Sequence, residues 1–84
     1  MTTREKLREM LTSRGMFDSQ AEEVLKIAIP RIESMTPSYR ITWDRPANEY
    51  PKEVYNAMWL FLRTAANEWI AKNAPDAWFR PMFD

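Results

Sequence analysis

Cysteine and histidine are both missing from this chain. Their absence excludes disulfides, thiol nucleophiles, zinc sites built on sulfur or imidazole, and every catalytic triad that needs a histidine base. Glycine occurs once, at Gly15, so no glycine-rich loop exists to cradle a phosphate in the P-loop or dinucleotide-binding manner. There is no excess of either charge. Twelve basic residues stand against twelve acidic ones, and no overall field draws the chain to nucleic acid or anionic lipid. Long apolar runs are also lacking: the longest, Ala57-Met58-Trp59-Leu60-Phe61-Leu62, is far short of the about 20 residues a membrane span requires. The charged start, with Arg4, Glu5, Lys6, Arg8, Glu9 and Arg14, leaves no room for a signal-peptide core, and neither end carries a lipidation motif. The expected address is the cytoplasm.

What is present is enough for one modest core. A chain of 84 residues buries roughly 60–65% of its unfolded surface on folding, so residues 1–84 are read as a single helical domain. Thr2-Thr3-Arg4-Glu5 has the form of a capping box, in which hydroxyl and carboxylate each satisfy the other residue's amide. Leu7, Met10 and Leu11 follow at helical spacing. Gly15 then suits the left-handed residue that ends a helix. A second helix opens near Asp18 or Ser19, with Ser19-Gln20-Ala21-Glu22 as another capping box. It buries Ala21, Val24, Leu25, Ala28, Ile29 and Ile32. Pro30 predicts a kink or restart near Ile27–Ile29, because it removes one amide and crowds the carbonyl four residues back. Pro37 requires the helix to stop by Thr36.

Tyr39, Ile41 and Trp43 alternate with polar neighbours in the manner of a strand. A lone strand has no partner, so residues 36–47 are expected to form an extended aromatic arm packed on the helices. Unpaired groups along such an arm also favour a small homo-oligomer. The third helix is expected from 48 to 73. Asn48 serves as its cap, Pro51 falls in its first turn, and a broad stripe runs from Tyr55 through Met58, Trp59, Leu62, Ala65, Ala66 and Trp69 to Ile70. Residues 57–62 are apolar on all sides, which predicts a central helix covered by several neighbours. Trp78, Phe79, Met82 and Phe83 make residues 75–84 too apolar for a free tail, so they are expected to pack on the third helix and the arm. The fold class is therefore all-α: three helices at 2–15, 18–35 and 48–73, an aromatic arm and a wrapped C-terminal segment.

Catalytic equipment is sparse. Asp18 with Glu22, and Glu49 with Glu53, have the spacing to share a magnesium ion. First-turn placement on a helix dipole explains both pairs more simply, and no metal, cofactor or enzymatic activity is expected. Four cations against two glutamates over residues 1–14 make a weak basic stripe, better explained by helix solubility than by DNA contact.

Aromatic content is the strongest signal. Four Trp, three Tyr and four Phe exceed what a minimal core needs, and Trp with Arg is the composition of binding hot spots. Trp43-Asp44-Arg45-Pro46 and Trp78-Phe79-Arg80-Pro81 pair the two, which nominates Trp43, Arg45, Trp78, Phe79 and Arg80 as binding residues. A protein partner is the first use. A nucleotide-like small molecule, stacked on Trp and paired with Arg, is the second.

The stretches Gly15-Met16-Phe17-Asp18-Ser19-Gln20-Ala21-Glu22, Thr42-Trp43-Asp44-Arg45-Pro46 through Tyr50-Pro51, and Ala77-Trp78-Phe79-Arg80-Pro81-Met82-Phe83 resemble segments of small uncharacterised proteins encoded by tailed bacteriophages and prophages. The resemblance implies a bacterial host cytoplasm and a phage accessory role that acts by binding a host or phage protein. It implies no chemistry and transfers no site residue.

Overall fold

The computed structural model describes residues 1–35, 41–47 and 50–83, which form three α-helices and a C-terminal 3₁₀ helix. The helices are α1 (Thr3–Thr12), α2 (Asp18–Met35) and α3 (Lys52–Asn73), and the 3₁₀ helix is Arg80–Phe83. No strand forms among the described residues; a single antiparallel bridge joins Thr2 to Pro46. The all-α expectation is met.

The start of α1 is closed twice over. Its capping box is complete, with Glu5 N–H donating to Thr2 Oγ1 at 3.2 Å and Thr2 N–H donating to Glu5 Oε1 at 3.1 Å. The next two amides are taken by the arm: Thr3 N–H donates to the Arg45 carbonyl at 2.9 Å and Arg4 N–H to the Trp43 carbonyl at 3.1 Å. A helix start leaves four amides without intrahelical partners, and here a distant segment supplies part of the cap. Thr3 is buried as a result, and its hydroxyl also donates to the Arg45 carbonyl.

Backbone as well as side chains hold the described part of the arm to the helices. Ile41 and Trp43 pack half-buried against the core, and carbonyls 43 and 45 bond to α1 and Ala47 N–H donates to the Met1 carbonyl at 3.1 Å. A second chain is not required to satisfy these groups. Tyr39, the first residue of the expected alternation, lies outside the described residues.

Leu7 and Leu11 fill the inner face of α1, while Met10 is only half-buried. Gly15 adopts φ +115°, a left-handed conformation that glycine adopts without a Cβ penalty. Gly15 N–H donates to the Thr12 carbonyl and Met16 N–H reaches back to the Leu11 carbonyl, the paired bonds of a Schellman ending, with Leu11 and Met16 both buried as its apolar contact.

The second helix starts one residue earlier than its expected cap allows. Asp18 is already helical, and the Gln20 carboxamide oxygen accepts from Phe17 N–H at 2.9 Å. Gln20 therefore performs the backward half of a capping box on Phe17, and Ser19 takes no part. Ala21, Val24, Leu25, Ala28 and Ile32 are fully buried, while Ile29 stays half-buried at the edge of the stripe. Of the kink or restart expected near Ile27–Ile29, the restart is absent: α2 runs as one helix through Pro30. Pro30 is exposed, so the carbonyl it deprives of a donor lies on the face where water can serve instead. The described helix runs to Met35; Thr36 and Pro37, where the stop was expected, lie outside the described residues.

Pro51 is the N-cap of α3 rather than part of its first turn, and no side chain caps that end. Asn48 and Glu49 lie outside the described residues. Val54, Met58, Leu62, Ala65, Ala66, Trp69 and Ile70 form the buried face. Coverage of the apolar stretch 57–62 is incomplete, since Leu60 is 53% exposed. Among the described residues α3 packs on α2 and on the tail, and Leu60 lies on the face that neither covers.

The C-terminal segment turns back through Ala77 N–H to the Ala74 carbonyl and Met82 N–H to the Phe79 carbonyl. Phe79 and Phe83 are buried and meet edge to face, and Asn67 Nδ2 of α3 donates to the Phe83 carbonyl at 2.9 Å. Only half of the expected apolar set is core. Trp78 is 75% and Met82 52% exposed, because residues 78 and 82 point away from the side that Phe79 and Phe83 turn inward. The tail packs on α3 and on the α1–α2 turn, where a Cβ added to Gly15 would lie 2.7 Å from Trp78 Cζ2 and 2.8 Å from Phe79 Cβ.

Candidate functional site

The five nominated residues fall at two separate ends of α1. Trp43 and Arg45 sit at its start, where their carbonyls cap the helix. Trp78 and Phe79 sit beyond its finish, against Gly15. A helix of 10 residues holds the two groups apart by about 15 Å, so they do not form one binding site.

The arm end is largely committed to the fold. The Trp43 indole N–H donates to Glu33 Oε1 at 2.7 Å, tying the arm to the last turns of α2. The turn at 42–45 is closed by Arg45 N–H to the Thr42 carbonyl, and Thr42 is held in turn by the Tyr50 hydroxyl, to which its N–H donates at 2.6 Å. Arg45 is exposed and contributes its backbone to the cap.

The tail end is different. Phe79 is core, whereas Trp78 meets it edge to face at 5.9 Å between centroids and leaves most of its own surface in water. Arg80 is exposed, with Nη1 donating to the Pro75 carbonyl at 3.0 Å. Phe17, two residues past Gly15, is 74% exposed. Phe17, Trp78 and Met82 are thus exposed large apolar side chains in the segments that follow Gly15 and flank the buried Phe79. Phe17 was not nominated from the sequence, because its position after the helix stop showed nothing about what would lie across from Gly15.

Charged pairs frame the flanks. Glu22 joins α2 to α1 through Arg4 at 2.6 Å and Arg8 at 3.4 Å, and the Arg4 hydrogen bond holds its carboxyl below the ordinary value of 4.5. Its partner in the proposed magnesium pair, Asp18, therefore faces a carboxylate already engaged by arginines. The Glu49–Glu53 pair falls partly outside the described residues.

Between α2 and α3 the Arg31 guanidinium grips Glu68 with both terminal nitrogens, and the Arg31 bond draws the Glu68 carboxyl below its ordinary value. Beside this pair lies a cleft of about 440 Å³ bordered by Glu23, Lys26, Ile27, Trp69 and Lys72. The sequence offered no sign of it, since Lys26 and Lys72 come together only through the pairing of two helices. No helix among the described residues is long and apolar enough to cross a membrane. No protein-family model, curated protein or solved structure matches the chain, so the functional reading starts from these surfaces.

Proposed function

We propose that this chain is a non-enzymatic binding protein that docks a partner protein through the end of the domain carrying Phe17, Trp78 and Met82. The resemblance to small phage proteins supports reading it as an accessory factor that acts on a host or phage protein in the bacterial cytoplasm. One observation carries the reading. Trp78 is fixed against Gly15 and Phe79, yet three-quarters of it is exposed. A tryptophan already held in place loses little conformational freedom on binding, and such anchors dominate interface energetics. The complementary surface is an apolar pocket wide enough for an indole, with an acidic rim to meet Arg80.

The test is affinity capture from infected cells with the full chain and with Trp78→Ala, after circular dichroism has shown that the variant is folded. A stoichiometric partner retained by the parent and lost by the variant supports the reading. A partner held equally by both, or none held by the parent, overturns it. The second reading, a small-molecule binder, draws its support from the α2–α3 cleft rather than from the arm, where Trp43 is bonded to Glu33.

A further inference from the structure

The cleft between α2 and α3 has an electrostatic feature that neither the core nor the docking end explains. Its carboxylates are already engaged: Glu23 Oε2 accepts the Trp69 indole N–H at 2.9 Å, and Glu68 is held by Arg31. Lys26 and Lys72 border the same hollow from opposite helices, and neither forms an ion pair with another described residue. Arg31 and Glu68 cancel, so two ammonium groups face the single charge of Glu23. Lys72 lies in the last turn of α3, where its charge offsets the negative end of that helix dipole.

Size and lining narrow the occupant. About 440 Å³ falls within the roughly 300–1,000 Å³ of small-molecule sites. Ile27 and Trp69 give part of the wall an apolar character, and a second hollow of about 390 Å³, lined by Pro30, Ser34 and Phe61, adjoins at Arg31. A dianion gains from both lysines at once, and an attached carbon skeleton gains from the apolar wall. We propose that this cleft binds a small phosphate monoester, with the phosphate between Lys26 and Lys72 and the organic part against Ile27 and Trp69.

The test is an NMR titration of the full chain with phenyl phosphate at constant ionic strength, with inorganic phosphate and benzyl alcohol as parallel probes. The Trp69 indole N–H, bonded to Glu23 in the cleft wall, is the internal reporter. Saturating shifts are expected at that indole and at the Lys26 and Lys72 amides, tighter for phenyl phosphate than for inorganic phosphate and absent for benzyl alcohol. K26Q/K72Q should weaken phenyl phosphate by about tenfold or more, the scale of losing a charge-assisted hydrogen bond, while Lys6→Gln on exposed α1 surface should change nothing. Equal affinity in K26Q/K72Q, or shifts that never saturate and spread over all cationic residues, overturns the proposal. Trp78→Ala should bind phenyl phosphate normally, which separates this site from the docking end.

Discussion

Trp43-Asp44-Arg45-Pro46 and Trp78-Phe79-Arg80-Pro81 repeat one Trp-x-Arg-Pro pattern at the two ends of α1, and the fold uses them in opposite ways. At the arm the pattern works through its backbone: carbonyls 43 and 45 close amides at the start of α1, and the Trp43 indole is bonded to Glu33. At the tail it works through its side chains. Phe79 enters the core, and Trp78 is left on the surface above Gly15. What decides the outcome is the receiving element. An open helix start offers unpaired amides and takes up carbonyls, whereas the finish of α1 already satisfies its own carbonyls and offers only the bare Cα of Gly15.

The tail end is the easier to break. Phe83 is fully buried and anchors the segment beneath Trp78, so Phe83→Ala is expected to cost about 3–5 kcal/mol in urea unfolding. A loss under about 1 kcal/mol would mean that the tail is not part of the core. Gly15→Ala attacks the same end from the other side. It places a Cβ at positive φ and 2.7–2.8 Å from Trp78 and Phe79, for an expected loss of about 2–4 kcal/mol. An unchanged midpoint would show that the tail does not sit on Gly15. At the arm end the corresponding change is milder. Thr3→Val preserves volume and removes the hydroxyl bond to the Arg45 carbonyl, an expected cost of about 0.5–1.5 kcal/mol, and unfolding no easier than the parent's would remove that bond from the cap.

The ease of reading these two ends from sequence differed for physical reasons. Apolar spacing of 3.6 marks Leu7 and Leu11, the Val24–Ile32 face and the Met58–Ile70 stripe, so the helices and most of the core were legible. Gly15 was legible as a helix stop because positive φ selects for glycine. Its second role, receiving the tail, depends on contacts over 60 residues away in sequence and leaves no local pattern. The arm's cap was illegible because backbone carbonyls carry no residue preference. In the tail, composition pointed to burial of the apolar side chains, but carried no sign that Phe79 and Phe83 would turn inward while Trp78 and Met82 stay outward. The lysines of the cleft are ordinary surface residues until α2 and α3 pair.

The smallest expected effect is on the flank that ties α1 to α2. The Glu22 carboxyl is drawn below the ordinary 4.5 chiefly by its hydrogen bond from Arg4. A carboxylate with a lowered folded value stabilises fully above the unfolded value and loses that contribution as pH falls through the lowered one. Because Glu22 is about a third exposed, solvent screening limits the effect to no more than about 1 kcal/mol. Stability measured by urea unfolding should therefore decline as pH falls below the ordinary carboxylate value of 4.5, and Glu22→Gln should flatten part of that decline. A pH dependence identical in the variant would remove the Arg4–Glu22 contact from the account.

The central claim is that the arm tryptophan builds the fold while the tail tryptophan presents a surface, and one paired measurement addresses it directly. Trp43→Ala and Trp78→Ala are compared with the parent by urea unfolding under the same conditions. Trp43 is half-buried against the core and bonded to Glu33, so its loss is expected to cost about 2–3 kcal/mol. Trp78 gives up mainly its contact with Gly15 and its edge-to-face pairing with Phe79, an expected cost of about 1 kcal/mol or less. Equal losses, or a larger loss for Trp78→Ala, would contradict the division of roles between the two ends.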